Sequence, residues 1–436
     1  MKNDYIKKIV LGLIFSVVLG VNVNASDSLE NQPVQEEQMV DEDQDWVMCD
    51  KSYDQLHEAI SRNEIEVAKN LIKKGAPWDM SIFVHVCKKL YVEILQLISK
   101  DGIKINDLVN LKYLGKSMLR LVCENGHFEV ARLLIKHRAN FRVMNDSGKT
   151  ALMYACEKGY LEIVRLLISD DANFNARDND GQIALFYACY GGNKEVVRLL
   201  IEKGANVNVK NFFRETLLMC ACEKCCLEIV QLLIDEVKDI RERINEEQNG
   251  GWTALMYACG SENKDIVQLL IDRGADVNAK SASEGTVLML FCKIGYLEIV
   301  RLLIDNGANI NEKDIEGMTA LLYACYWGHV EIVRLLITNG SDVNSQDEEG
   351  MTPLMYAIQG GFIEIVKALL NVDGIDVRKK NNRGDTALDI ARRCSRGDAT
   401  INIARRGNCA DIVEILENYI LMNLLMMMME NEKKSN

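Results

Sequence analysis

Apolar positions recur along the chain in paired helical stripes. In "GKTALMYACEKGYLEIVRLLISDDANFNARDND", Gly148–Asp180, the residues Leu152, Ala155 and Cys156 fall at helical spacing and predict a helix with one buried face. Gly159 offers the left-handed backbone that ends such a helix. Ile163, Val164, Leu166, Leu167 and Ile168 predict a second helix, apolar over a broad side. Asn173–Gly181 is a turn-rich connection to the next stripe. "GMTALLYACYWGHVEIVRLLITNGSDVNSQDEE", Gly317–Glu349, repeats the arrangement. Thr253, Thr286, Thr319 and Thr352 follow one another at intervals of 33 residues, and Thr216 stands 66 after Thr150. A fixed period of this size predicts stacked supersecondary units. One helix pair cannot bury its apolar face alone, so neighbours must share a continuous core.

The recurring words carry a resemblance. Thr-(Ala/Pro)-Leu-x-x-Ala, a following Gly, Glu-Ile-Val-x-Leu-Leu-Ile and Gly-Ala-x-x-Asn are similar to the ankyrin repeat. "TPLMYA", Thr352–Ala357, resembles its opening motif and "GADVNAK", Gly274–Lys280, its closing one. The resemblance implies an all-α solenoid of helix-turn-helix units joined by β-hairpin-like loops. It covers residues 52–419 and ten or eleven units. Ala replaces Pro at 151, 254 and 320, which changes local packing only. Asp54–Ala76 lacks the opening motif and reads as an N-terminal cap, and the unit around Val86–Asn106 is degenerate. In the last unit "IARR" occurs at Ile390–Arg393 and again at Ile403–Arg406, an insertion, with cap-like charge outward.

The flanks differ. Residues 1–25 read as a secretory signal: Lys2, Lys7 and Lys8, then the apolar Ile9–Val21, then Val23-Asn24-Ala25 for cleavage after Ala25. Signal and repeat together resemble exported ankyrin-repeat proteins of bacteria, so the expected address is periplasmic or extracellular, a host cell included. Residues 26–51 form an acidic segment expected to lack a core of its own. Residues 420–436 are a Met-rich tail, expected to extend the terminal helix and cover the cap, with a soft binding surface as the alternative.

Composition narrows the functions. A net charge of −13 opposes nucleic-acid binding, which needs a basic surface. Five histidines form no recognised metal spacing, and no nucleophile elbow or phosphate loop occurs. No enzyme, cofactor or metal site is expected. Glu162, Glu228, Glu298, Glu331 and Glu364 all open second helices, where the helix dipole favours them.

The chain holds 14 cysteines. Cys123, Cys156, Cys189, Cys222, Cys259, Cys292 and Cys325 share one repeat position and read as buried free thiols. Stacked helices sit about 8–10 Å apart, too far for a disulfide between neighbouring rungs. "TLLMCACEKCCLEIV", Thr216–Val230, adds Cys220, Cys225 and Cys226 around Cys222. Cys225 replaces the helix-ending Gly, in a unit that also has Arg214 in place of Gly and four extra residues within Ile234–Asn245. A local disulfide at Cys225 or Cys226, or a zinc site, are the alternatives to a relaxed defect.

The resemblance implies binding through hairpin tips and exposed first-helix residues. At those places the sequence turns aromatic: Tyr190, Phe212, Phe213, Trp252, Tyr326 and Trp327 are the candidate partner-binding residues. The expected function is an exported, monomeric scaffold that binds a protein partner. The alternative is a membrane-tethered ankyrin protein, held by an uncleaved signal segment or the tail. A thiol-redox or zinc-binding protein ranks third.

Overall fold

The computed structural model describes residues 51–76, 82, 86, 112–113, 116–237, 243–282, 285–396 and 408–435. The expected signal, nearly all of the acidic segment, most of the degenerate second unit and the second "IARR" lie outside them. The chain divides into two compact units, Met1–Trp78 and Asp79–Asn436.

In the first unit, helices Lys51–Ser61 and Ile65–Lys73 pack on each other and bury Leu56, Ala59, Ile60, Ala68 and Ile72. The second unit holds nine further helix pairs among the described residues, from Met118–Asn125 with Phe128–Lys136 to Ala387–Ser395 with Cys409–Ser435. First helices pack on first helices and second on second, which makes two layers over one core. The sequence reading of a helical repeat solenoid holds.

Most first helices of the second unit are short and begin on a threonine, whereas Met118–Asn125 begins on Ser117 and Ala184–Tyr190 follows Ile183 with no side-chain cap. Thr150, Thr253, Thr319 and Thr352 are buried, and each Oγ1 accepts the N–H three residues on, at 3.3–3.5 Å. A threonine cap of this kind contributes about 1 kcal/mol. That is why threonine marks the period. The helices end where glycine enters the left-handed region, as at Gly159 (φ 73°), Gly295 (95°) and Gly328 (82°). The cysteine ladder lies in the core, every member at 0% exposure.

The loops are joined across units by backbone hydrogen bonds. Phe212 N–H donates to Asp180 O at 2.8 Å, Asn249 to Phe213 O at 3.0 Å and Glu348 to Glu316 O at 3.0 Å. The asparagine of the closing motif does related work. Asn278 Oδ1 accepts from Asn309 N–H at 2.7 Å, and Asn311 Oδ1 from Asp342 N–H at 2.8 Å. Strand pairing among the described residues is limited to Lys112–Tyr113 with Lys116–Ser117 and a bridge between Lys280 and Thr286.

The terminal helix, Cys409–Ser435, runs through the Met-rich tail. It does not cover the cap in the expected way: Leu421, Met422, Leu424, Leu425, Met426 and Met428 are exposed. The strong helix formers extend the helix beyond the last surface it can pack on.

Candidate partner-binding surface

The six aromatic candidates do not form one band. Helix Ala320–Trp327 directs Cys325 into the core, and the next two residues rotate away from it by about 100° each. Tyr326 and Trp327 are each 49% exposed. Tyr326 lies edge-on to Trp327 (5.4 Å between centroids) and to Tyr356 of the next unit (5.3 Å). Phe212 and Phe213 are 63% and 54% exposed at a loop tip. The Phe212 ring lies so close over Gly181 that a Cβ there would meet Cδ1 at 2.8 Å.

The other two candidates are less exposed. Trp252 is buried at 9% exposure and packs edge-on against Tyr257, 5.6 Å away. An indole beside an apolar neighbour is stabilised by leaving water, so a ring placed at a loop position folds back onto its own unit. Tyr190 is half-buried, edge-on to Tyr187 and under Lys224 Nζ at 5.3 Å. Burial pushes its phenol well above the usual range.

The rings at Tyr326 meet an acidic pair of loops. Tyr323 Oη donates to Asp314 at 2.7 Å, and Tyr356 Oη donates to Asp347. Burial, then the hydrogen bond to the carboxylate, raises both phenols far above their ordinary value. Each aspartate also accepts two amides of its own turn, Glu316 and Met318 for Asp314, Glu349 and Met351 for Asp347. The turns so fixed present Glu316, Glu348 and Glu349 to solvent. Ile315, 56% exposed, stands in the loop beside Glu316 and was missed from sequence. Its signal was available: it holds the place before Gly317 that Phe212 holds before Arg214.

The cysteine cluster separates. Cys220 and Cys222 are buried, and Cys220 Sγ lies 3.8 Å from Phe186 O. Cys225 is exposed, with φ 58° and Sγ 3.6 Å from Ser261 O. Cys226 is half-buried, its Sγ 3.4 Å from Lys224 O. All four are free thiols. Desolvation raises Cys220, Cys222 and Cys226 above the ordinary thiol value. Among the described residues no three His, Cys, Asp or Glu side chains are grouped to hold a metal ion. His329 reaches back one unit, with Nε2 3.1 Å from Lys293 O, and its ring lies over Gly295.

Comparison with known proteins follows the same lines. No curated protein matches the chain significantly. The chain is similar to the crystal structure of the human ASB11 ankyrin repeat domain, at 25% identity and a TM-score of 0.43, over 48% of this chain and 91% of that one. The family described as "Ankyrin repeats (3 copies)" matches residues 56–145, 82–178, 121–211, 171–244, 209–281, 280–347 and 331–420. These windows run without a gap from 56 to 420, well over half of the 436 residues, and the chain belongs to the ankyrin-repeat family.

Proposed function

We propose that this chain is an exported, non-enzymatic scaffold whose protein partner docks on the exposed rings Tyr326 and Trp327, with Phe212 and Phe213 as a second contact. Ankyrin repeats build protein–protein interaction scaffolds; the export, the contact residues and the address are the proposal. One observation carries the contact. First helices elsewhere fill the same two places with Glu157–Lys158 or Glu223–Lys224, whereas this unit keeps two large rings half exposed. Rigid aromatic side chains are enriched where binding energy concentrates. Export rests on the apolar Ile9–Val21 segment and its small-residue cleavage sequence.

The contact is tested by crosslinked affinity capture from the native source with the wild type and Trp327→Ala. Capture of a defined partner falls at least tenfold in the variant, while the melting temperature stays within about 2 °C. Unchanged capture with a large loss of stability would assign the ring to packing. N-terminal sequencing of the secreted material, starting at Ser26, tests the export.

A further inference from the structure

We infer that the surface at Tyr326 and Trp327 takes a basic segment of a partner protein, with an arginine or lysine side chain stacked on the exposed rings. The inference rests on the preceding reading that these rings contact a partner, and adds the partner's chemistry.

The Tyr326 ring is connected to the acidic loops. Tyr326 touches Tyr356, Tyr356 bonds Asp347, and the loop that holds Asp347 is tied to the previous one through Glu348 N–H and Glu316 O at 3.0 Å. The two loops carry five carboxylates: Asp314, Glu316, Asp347, Glu348 and Glu349. Asp314 and Asp347 are engaged by tyrosine hydroxyls and turn amides. Glu316, Glu348 and Glu349 are exposed, and among the described residues none of the three forms an ion pair. Three local cations are otherwise engaged. Lys313 Nζ donates to Gln346 O at 2.7 Å, and Lys293 Nζ lies 5.7 Å from the Tyr323 ring centroid. Arg393 pairs with Asp385 at 2.5 Å. That pair lines, with Glu349 and the exposed Arg383, a cavity of about 250 Å³ whose walls carry both signs, and the acidic surface ends on that side.

The charge decides between partners. A neutral apolar partner covering Tyr326 and Trp327 would strip water from the adjacent glutamates without replacing it, which is costly for an ionised group. An acidic partner or a nucleic acid would add repulsion. A basic segment relieves both. Its cations pair with Glu316, Glu348 and Glu349, and a guanidinium or ammonium over the indole face gains the attraction of the ring quadrupole.

The test uses the full chain and two labelled eight-residue peptides, alternating Arg–Ser and alternating Glu–Ser, read by fluorescence anisotropy. The Arg–Ser peptide binds at least tenfold more tightly than the Glu–Ser peptide, and more weakly as salt rises. Trp327→Ala, and separately the pair Glu316→Lys and Glu349→Lys, each weaken it about tenfold. The pair Glu162→Lys and Glu195→Lys makes the same change in net charge on exposed second-helix positions and leaves affinity within about twofold. Equal loss in that control, equal binding of the two peptides, or no effect of Trp327→Ala overturns the inference. If Trp327→Ala melts early, Tyr326→Ala and the Glu316/Glu349 pair carry the test. Partner capture that depends on Trp327 without any preference for the Arg–Ser peptide would refute the basic partner and leave the scaffold reading standing.

Discussion

At the scale of single residues, the most informative position is Cys225. Glycine stands at the equivalent place in other units, as Gly126, Gly159, Gly295 and Gly328, all left-handed. Repeat register alone therefore assigned a left-handed backbone to a cysteine, and the structure has it at φ 58°. A side chain there costs about 1–2 kcal/mol, and glycine returns part of that by widening the unfolded ensemble. Cys225→Gly should raise stability by about 0.5–1 kcal/mol. The check is the urea midpoint at unchanged slope; a lower midpoint would mean that the Sγ contact to Ser261 O matters more than the strain. Register served less well for Trp252. It gave the loop position correctly but not the direction of the ring, because the contact with Tyr257 depends on how one loop folds back. Ile315 shows the opposite case: its loop position is legible from register, but an aliphatic side chain there carries no aromatic signal.

At the scale of elements, helix caps and ends were legible because threonine and glycine each do one backbone task that few residues do as well. The terminal helix was legible only in part. Its extension through 435 follows from the helix-forming tendency of Leu, Met, Glu and Lys. Whether its apolar residues find a surface depends on what faces them, which a single stripe cannot report. Ile412 and Leu416 are fully buried against the last unit, while Leu421, Leu424, Leu425 and Met428 lie exposed. The two stretches should therefore contribute very differently. A chain ending at Ile420 should keep the unfolding free energy of the full chain to within about 0.5 kcal/mol, since none of the described side chains it loses is buried. Ile412→Ala should cost about 2–4 kcal/mol. Equal losses in the two variants would show that the tail packs in solution.

At the scale of the whole molecule, the cysteine ladder turns a packing choice into a pH response. Seven thiols, from Cys123 to Cys325, share one core position, and each is fully buried. Desolvation raises all seven far above the ordinary thiol value of 9.0. Above that pH the unfolded chain releases these protons while the folded chain keeps them. The unfolded state then binds fewer protons, so stability falls as pH rises. The contribution is intact below about pH 8 and is lost progressively above 9, by about 1.4 kcal/mol per pH unit for each thiol fully ionised in the unfolded chain. Tyr187, Tyr257, Tyr323 and Tyr356, all raised above their ordinary value of 10.0, act in the same direction at higher pH. The urea midpoint should thus be level from pH 7 to 8 and drop steeply beyond 9. Replacing Cys189, Cys222 and Cys292 with alanine removes three of the seven groups. That variant should start less stable, because each core position loses a sulfur, yet decline more gently above pH 9. Parallel declines in the two proteins would place the alkaline sensitivity outside the ladder.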